Sequence, residues 1–215
     1  QPFTISEQDS NVALRNDVAN GSVRYTPNAN YNGGDSFTYT VANDAEVPSY
    51  SSATVRVDVT AVNDGPTTVA DFGTVVSSAG ASVRVLSNDS DIDGDTLTIT
   101  EVTFEGETHE VSGETTITGA TTGSQVVVNP ANGRISFVPE GDWYKALSAD
   151  DVIEKVLSYK VADPGGVESD ATSLTLTVQG VNDAPEVTPN AITLSGTEDG
   201  ANVTGSLSEY ASDPD

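Results

Sequence analysis

The sequence contains no cysteine and no methionine. Without cysteine it can form neither a disulfide bond nor a thiolate metal site. It has no run of about 18 apolar residues, so it predicts no membrane-spanning helix. Basic residues are scarce, because 8 Lys and Arg stand against 33 Asp and Glu, for a formal net charge of −25. A chain this acidic repels nucleic acid and anionic lipid, so we expect neither as a partner.

The residues that are abundant, which include Thr, Val, Ser, Asp and Gly, favour short strands. No helical periodicity continues beyond two turns. Residues 37–41 and 55–59 alternate in the manner of half-buried strands. Between residues 67 and 183 about seven such runs are separated by turn-forming residues, at 82–86, 97–102, 114–117, 124–128, 134–138, 156–161 and 173–178. The sequence therefore predicts an all-β fold of tandem immunoglobulin-like β-sandwich repeats.

Two segments are predicted to lie outside the strands. Residues 142–155, which include the only tryptophan, predict one helical turn or a loop. His109, the only histidine, is predicted to lie in a solvated polar turn. Because a lone ligand makes no metal site, we expect no metal at His109.

A short acidic motif repeats along the chain. Val62–Pro66 (Val-Asn-Asp-Gly-Pro) returns almost unchanged at Val181–Pro185 (Val-Asn-Asp-Ala-Pro), and an Asp-x-Asp pair follows each copy. Such spacing predicts repeats joined by acidic hinges. We expect the C-terminal part of one repeat, a complete repeat and the N-terminal part of a third, over residues 1–62, 63–183 and 184–215.

The densest group of carboxylates lies in Asn88–Asp95, which contains four Asp residues. Two carboxylates about 4 Å apart repel by about 4 kcal/mol at an effective dielectric constant of about 20, so a folded cluster favours a cation. Hard oxygen ligands suit calcium. An EF-hand is excluded, because Thr100 stands where its bidentate Glu would be. The alternatives are an acidic turn that caps two strands and a generally acidic, solubilising surface.

The order of these motifs resembles that of cadherins. Asp91-Ile92-Asp93 is followed by Ala-Asp-Pro-Gly-Gly at residues 162–166 and by the second hinge. Bacterial cadherin-like repeats are more similar still: residues 25–41 resemble the tandem-95 repeats of large surface proteins, and the complete unit resembles the VCBS repeat. Such repeats are typical of giant adhesins exported by type I secretion, the RTX adhesins.

This resemblance implies a set of calcium ligands at two junctions. At the first junction they are Asn63, Asp64, Asp91, Asp93 and Asp163. At the second they are Asn182, Asp183, Asp213 and Asp215. The hinge and the following repeat would together hold the ions.

The sequence departs from the cadherin pattern in three places. The Asp that opens a cadherin hinge is replaced by Ala61 or Gly180, and an early-strand Glu is replaced by Ser77-Ser78. The acidic ligand from the preceding domain is open, with Asp35, Asp150 and Asp151 as candidates. We therefore expect one or two ions at a junction rather than three.

The resemblance predicts a calcium-binding extender of a bacterial surface or secreted adhesin, which is extracellular and is not an enzyme. Its partners would be calcium ions and neighbouring repeats. Head-to-tail self-association of residues 184–215 with residues 1–62 of another copy is a further hypothesis. The alternative from another class is a carbohydrate-binding or accessory module of a secreted polysaccharide-degrading enzyme, and an enzyme comes third.

Overall fold

The computed structural model describes residues 3–6, 12–17, 22–43, 45–187, 195–196, 198, 200 and 211–213. They form strands with almost no helix, which confirms the all-β prediction. The chain divides into two compact units, Gln1–Asp64 and Gly65–Asp215. Within the described ranges, no helix is both long enough and apolar enough to cross a membrane.

The first unit contains a three-stranded antiparallel sheet and a separate hairpin. The sheet has the order β1-β4-β5, and the hairpin joins β2 to β3. The strands are β1 (Phe3–Ser6), β2 (Val12–Asp17), β3 (Ser22–Pro27), β4 (Gly33–Ala42) and β5 (Tyr50–Val59). Phe37 and Ala42 are its buried apolar residues among those described. Asp35 on β4 accepts a hydrogen bond of 2.8 Å from the Tyr25 hydroxyl on β3.

The second unit is a sandwich of a four-stranded and a five-stranded sheet. Their orders are β10-β11-β12-β7 and β6-β14-β13-β8-β9, and only β6 and β14 pair in parallel. The strands are β6 (Asp71–Val76), β7 (Ala81–Arg84), β8 (Thr98–Phe104), β9 (Glu107–Glu110), β10 (Thr115–Thr118), β11 (Gln125–Asn129), β12 (Arg134–Val138), β13 (Val152–Ala162) and β14 (Thr172–Gln179). Two short strands, β15 (Glu186–Val187) and β16 (Ala211–Ser212), pair with each other.

Alternate residues of each strand fill the core between the two sheets. In β14, Leu174, Leu176 and Val178 are buried while their neighbours are partly exposed, as the two-residue period of a strand requires. Strand β11 contributes Val126 and Val128 in the same way. Because only one face of each strand is buried, a low apolar content is sufficient for this core.

The two sheets of the sandwich contain two strands that the sequence pattern did not predict, β6 and β9. The prediction of a polar turn around His109 was wrong, because His109 lies in β9 with its side chain only 34% exposed. Glu105 and Gly106 form the tight two-residue connection from β8 to β9, and their φ angles of 50° and 84° suit such a turn. The segment 142–155, for which one helical turn or a loop was predicted, contains one helical turn, α1 (Asp142–Lys145). The prediction was wrong for residues 152–155, which already belong to β13.

Candidate metal centre

The chain enters the second unit between two acidic segments. Thr67 and Ser90 exchange two backbone hydrogen bonds, of 2.8 and 3.0 Å. Gly65, the residue after Asp64, lies so close to Val167 that a Cβ at residue 65 would stand 2.9 Å from its Cγ1. The chain that leaves the first hinge is therefore fixed beside Ser90, which precedes Asp91, and beside the turn that begins at Asp163.

The segment 91–95, which we name the acidic loop, folds around the Asp91 side chain. Its Oδ1 accepts a hydrogen bond of 2.8 Å from the backbone N–H of Asp93. The backbone N–H of Gly94 donates to the Asp91 carbonyl, and a φ of 81° makes glycine favourable at residue 94. The other carboxylate oxygen, Oδ2 of Asp91, is buried and has no hydrogen-bond partner in the described part of the chain. A buried oxygen of this kind is costly unless something positive reaches it.

Asp163 is held in a tight turn after β13. Its Oδ1 accepts a hydrogen bond of 2.9 Å from the Val167 backbone N–H, and its carbonyl accepts another from Gly166. The φ of 85° at Gly166 explains the second glycine of the Asp-Pro-Gly-Gly sequence. The Asp163 residue is only 6% exposed. A carboxylate this buried is stable as an anion only with positively polarised partners.

The acidic loop and the Asp163 turn share one electrostatic environment. The pKa of Asp95 is raised by desolvation and by the negative charges of Asp91, Asp163 and Asp93, in that order. Asp95 was not among the predicted ligands, although its place in the Asp-Gly-Asp sequence was visible. Among the described residues, no three acidic or histidine side chains are gathered closely enough to hold a metal ion as they stand. Binding would therefore require side-chain rotation that brings these carboxylates together.

The two hinges share a local conformation. The Asn63 side-chain amide donates to the Asp64 carbonyl at 3.1 Å, and that of Asn182 donates to the Asp183 carbonyl at 2.8 Å. In each case the side-chain amide of the asparagine donates to the backbone carbonyl of the residue that follows it. The repeated sequence therefore corresponds to a repeated side-chain hydrogen bond.

The chain after each hinge also pairs in the same manner. Thr67 pairs with Ser90, directly before Asp91, and Glu186 pairs with Ser212, directly before Asp213. Asp213 is exposed, and Asp215 lies outside the described residues. The structure thus gives Asp213 the same relation to its hinge as Asp91 has to the first.

Asp183 of the second hinge lines a cavity of about 780 Å³ in the second unit. Its wall includes Glu140, Ser77 and Ser78. Ser77 and Ser78, where the cadherin resemblance led us to expect a glutamate, therefore line the same cavity as Asp183. Of the acidic candidates in this unit, neither Asp150 nor Asp151 lines the cavity. Asp151 instead accepts a hydrogen bond of 2.9 Å from the Ser148 backbone N–H.

The replacement of the first hinge residue by Gly180 has a steric cause. A Cβ at residue 180 would overlap the Ser148 carbonyl oxygen and stand 2.7 Å from that of Leu147. The Gly180 N–H also donates to the Asp151 carbonyl at 2.9 Å. The loop before β13 therefore occupies the space that an Asp side chain at residue 180 would need.

A second pair of carboxylates meets around a buried phenol. The Tyr159 hydroxyl on β13 lies 2.7 Å from Asp71 Oδ2 and 3.3 Å from Asp89 Oδ2. Burial is the main cause that raises the pKa of both carboxyl groups. Burial and the two carboxylates raise the pKa of Tyr159, so its hydroxyl keeps its proton and remains a donor. No sequence motif indicated this network, because its residues lie far apart along the chain.

Acidification is expected to stabilise the wild-type protein relative to Asp71→Asn. Burial raises the pKa of Asp71 above 3.8, and Asp89 adds to the rise, although hydrogen bonds from Tyr159 and Asn88 oppose it. The folded protein then binds this proton at a higher pH than the unfolded chain. The resulting stabilisation is fully present below about pH 3.8 and is lost as the pH rises through the folded-state pKa. Denaturant unfolding of both proteins across this range measures the difference, and a difference independent of pH would contradict the expectation.

Two family models match the chain. A model of the bacterial cadherin-like domain matches residues 63–180, and a model of the bacterial Ig domain matches residues 1–60. Domains of these families are structural and adhesion modules, typically extracellular, and are not enzymes. Cadherin-like domains typically bind calcium. No curated protein matches the chain.

Solved structures with a similar fold include cadherin ectodomains. Mouse cadherin-23 EC22-24 has a TM-score of 0.52 at 16% identity, with 99% of this chain and 64% of that chain covered. Protocadherin gammaB7 EC3-6 has a TM-score of 0.48 at 13% identity, with 89% of this chain and 44% of that chain covered. The human desmocollin-1 ectodomain has a TM-score of 0.42 at 15% identity, with 92% of this chain and 37% of that chain covered. This chain spans less than two thirds of each of those chains, and the similarity to cadherin-23 supports the cadherin-like sandwich fold.

Proposed function

The chain belongs to the bacterial cadherin-like domain family, whose model covers more than half of it, and we propose that it is a calcium-binding extender of a bacterial surface adhesin. As an extracellular adhesion-type module it would project a separate binding domain from the cell. The proposed repeat boundaries are the two hinges, with residues 63–183 as the complete repeat. The type I secretion and RTX context, and the likeness to VCBS and tandem-95 repeats, belong to the same proposal.

The observation that carries the proposal is the Oδ2 of Asp91, which is buried and has no hydrogen-bond partner among the described residues. It lies in a loop whose carboxylates act electrostatically on Asp95 together with Asp163. All of these donors are oxygens, which is the chemistry that calcium prefers, and calcium tolerates irregular geometry with six to eight ligands. The donor chemistry of these residues therefore suits a calcium ion, which would bind once side-chain rotation brings the carboxylates together. Asp91, Asp93 and Asp163 are the proposed ligands from the second unit, and Asp95 joins them.

The hinge residues would complete the first junction. Asn63 and Asp64 precede Gly65, which is fixed against Val167 within the second unit. When bound, calcium supplies positive charge that offsets carboxylate repulsion. Ligands from the hinge and from the following repeat would then share ions, which restricts the hinge and stiffens the array.

The second junction would also combine ligands from the hinge and from the following repeat, with fewer carboxylates than the first junction. Asn182 and Asp183 are the proposed hinge ligands, and Asp213 and Asp215 the ligands of the following repeat. Glu140, which lines the same cavity as Asp183, is the proposed acidic ligand from the preceding repeat. Because Ser77 and Ser78 are neutral, we expect one or two ions there rather than three.

Calcium added to chelator-stripped protein is expected to make the particle more extended and to raise its melting temperature. Extracellular calcium modules bind at about 10⁻⁴–10⁻³ M, so the transition should fall in the millimolar range or just below it. Small-angle scattering and thermal unfolding, followed in the same samples, measure both effects. Magnesium at the same concentration is the control, because it demands a stricter octahedral geometry. No change in either quantity would contradict the proposal, and calcium-independent glycan binding would favour a carbohydrate-binding module instead.

A further inference from the structure

The Tyr159 network connects the two chain segments that carry the proposed ligands. Tyr159 lies on β13, four residues before Asp163. Its hydroxyl reaches Asp89, two residues before Asp91, and Asp71, the first residue of β6. The Tyr159 side chain therefore joins β13, which ends directly before Asp163, to the segment that leads into the acidic loop.

The segment before the acidic loop is tied at several further points. Asp89 Oδ1 accepts a hydrogen bond of 2.9 Å from the Val69 backbone N–H. The Asn88 side chain donates to the Val69 carbonyl at 3.2 Å, and Ser90 exchanges backbone bonds with Thr67. These bonds hold residues 88–90 against residues 67–69, which follow the hinge. Asp89 Oδ2, in contrast, accepts a hydrogen bond from the Tyr159 hydroxyl. Asp89 is thus bonded on one side to the chain after the hinge and on the other to β13.

Burial of these polar groups in the core costs free energy of folding. The Tyr159 residue is 1% exposed and Asp71 is 7% exposed. The hydroxyl has one proton, yet Asp71 Oδ2, Asp89 Oδ2 and the Val85 carbonyl oxygen all lie within 3.3 Å of it. Two carboxylates around one donor repel each other, and a hydrophobic replacement of the three residues would avoid that cost. A role in holding the loop explains why polar groups occupy this place.

We propose that Tyr159 is a positioning residue of the calcium centre, whose hydroxyl fixes the acidic loop relative to Asp163. The proposal rests on the calcium-binding function proposed above. Residues that orient metal ligands from outside typically change metal affinity by about 10- to 100-fold when they are replaced. Tyr159→Phe keeps the ring in the core and removes only the hydroxyl.

The test is calorimetric calcium titration of the full chain in an Asp183→Asn background, so that the heat reports the first junction. Tyr159→Phe is expected to weaken calcium binding by about tenfold or more. The matched control is Tyr144→Phe, because Tyr144 is equally buried and its hydroxyl has no partner in the described part of the chain. That control is expected to bind calcium within about twofold of its parent. Denaturant unfolding without calcium separates a loss of stability from a loss of affinity.

A Tyr159→Phe protein that is less stable without calcium but binds calcium unchanged would overturn the proposal. Absence of binding by the parent chain and by wild type would instead refute the proposed function. If Tyr159→Phe fails to fold, Asp89→Asn tests the same connection at a half-buried position. Glu168→Gln removes an equal charge from an exposed residue and is its control. Weakening by Asp89→Asn no greater than by Glu168→Gln would also overturn the proposal.

Discussion

Replacement of Asp91 by Asn is expected to remove the stabilisation by calcium at the first junction and to leave the fold without calcium intact. Asn can still accept the hydrogen bond from the Asp93 backbone N–H through its remaining oxygen. It places an NH₂ group at the position of the buried Oδ2, which has no partner within the described ranges, and an NH₂ group does not bind a cation. Loss of one negative charge beside Asp95 also reduces repulsion in the calcium-free protein.

The size of the stabilisation that Asp91→Asn is expected to remove follows from mass action. A ligand at 100 times its dissociation constant stabilises the folded state by about 2.7 kcal/mol, which corresponds to roughly 5–10 °C in melting temperature for a protein of this size. Trp143 is the only tryptophan and lies in the second unit, so its fluorescence reports the unfolding of that unit. Asp170→Asn, at an exposed position of the same unit, is the control and should keep the full response. An Asp91→Asn protein with an undiminished calcium response would exclude Asp91 as a ligand.

Gly180→Ala is expected to destabilise the second unit by about 3 kcal/mol or more, because overpacking of a core usually costs about 1–3 kcal/mol even where side chains can move. Here the obstacles are the backbone carbonyls of Ser148 and Leu147, which cannot rotate away. Relief of the overlap would require the loop before β13 to shift. Such a shift would disturb the hydrogen bond from the Gly180 N–H to the Asp151 carbonyl.

Denaturant unfolding followed by Trp143 fluorescence measures the loss of stability. The matched control is Gly113→Ala in the same unit, because a Cβ at residue 113 meets nothing within 4 Å. Gly113→Ala should be neutral or slightly stabilising, by up to about 1 kcal/mol, since alanine restricts the unfolded chain. Equal effects of the two substitutions would show that space at residue 180 is not limiting.

The residue pattern was sufficient to predict the strands whose faces alternate. Residues 134–138 and 172–179 show a two-residue period, and both are strands with buried alternate positions. Strand β9 escaped prediction because Glu107–Glu110 has no apolar residue, and it forms by extension of a hairpin whose other strand is buried. Strand β6 was not predicted because it pairs with β14, which lies about a hundred residues further along the chain, and a local pattern does not show such a partner.

For the candidate centre, the resemblance of the repeated hinge and the acidic run to cadherin motifs supplied most of the proposed ligands. The sequence order alone could not include Asp95, whose relation to Asp163 depends on how the loop and the turn meet in space. Glu140 was missed for the same reason, since only folding brings it to the cavity that Asp183 lines.

The sequence by itself therefore determined the all-β class, the repeated acidic hinges and the lack of any thiolate ligand, because each follows from composition or from short periods along the chain. Only the tertiary structure decided why residue 180 is glycine, which carboxylates lie near one another, and that Tyr159 connects Asp71 with Asp89. Those features depend on contacts between residues distant in sequence. Such contacts are set by strand order and packing between sheets, on which a local pattern carries no information.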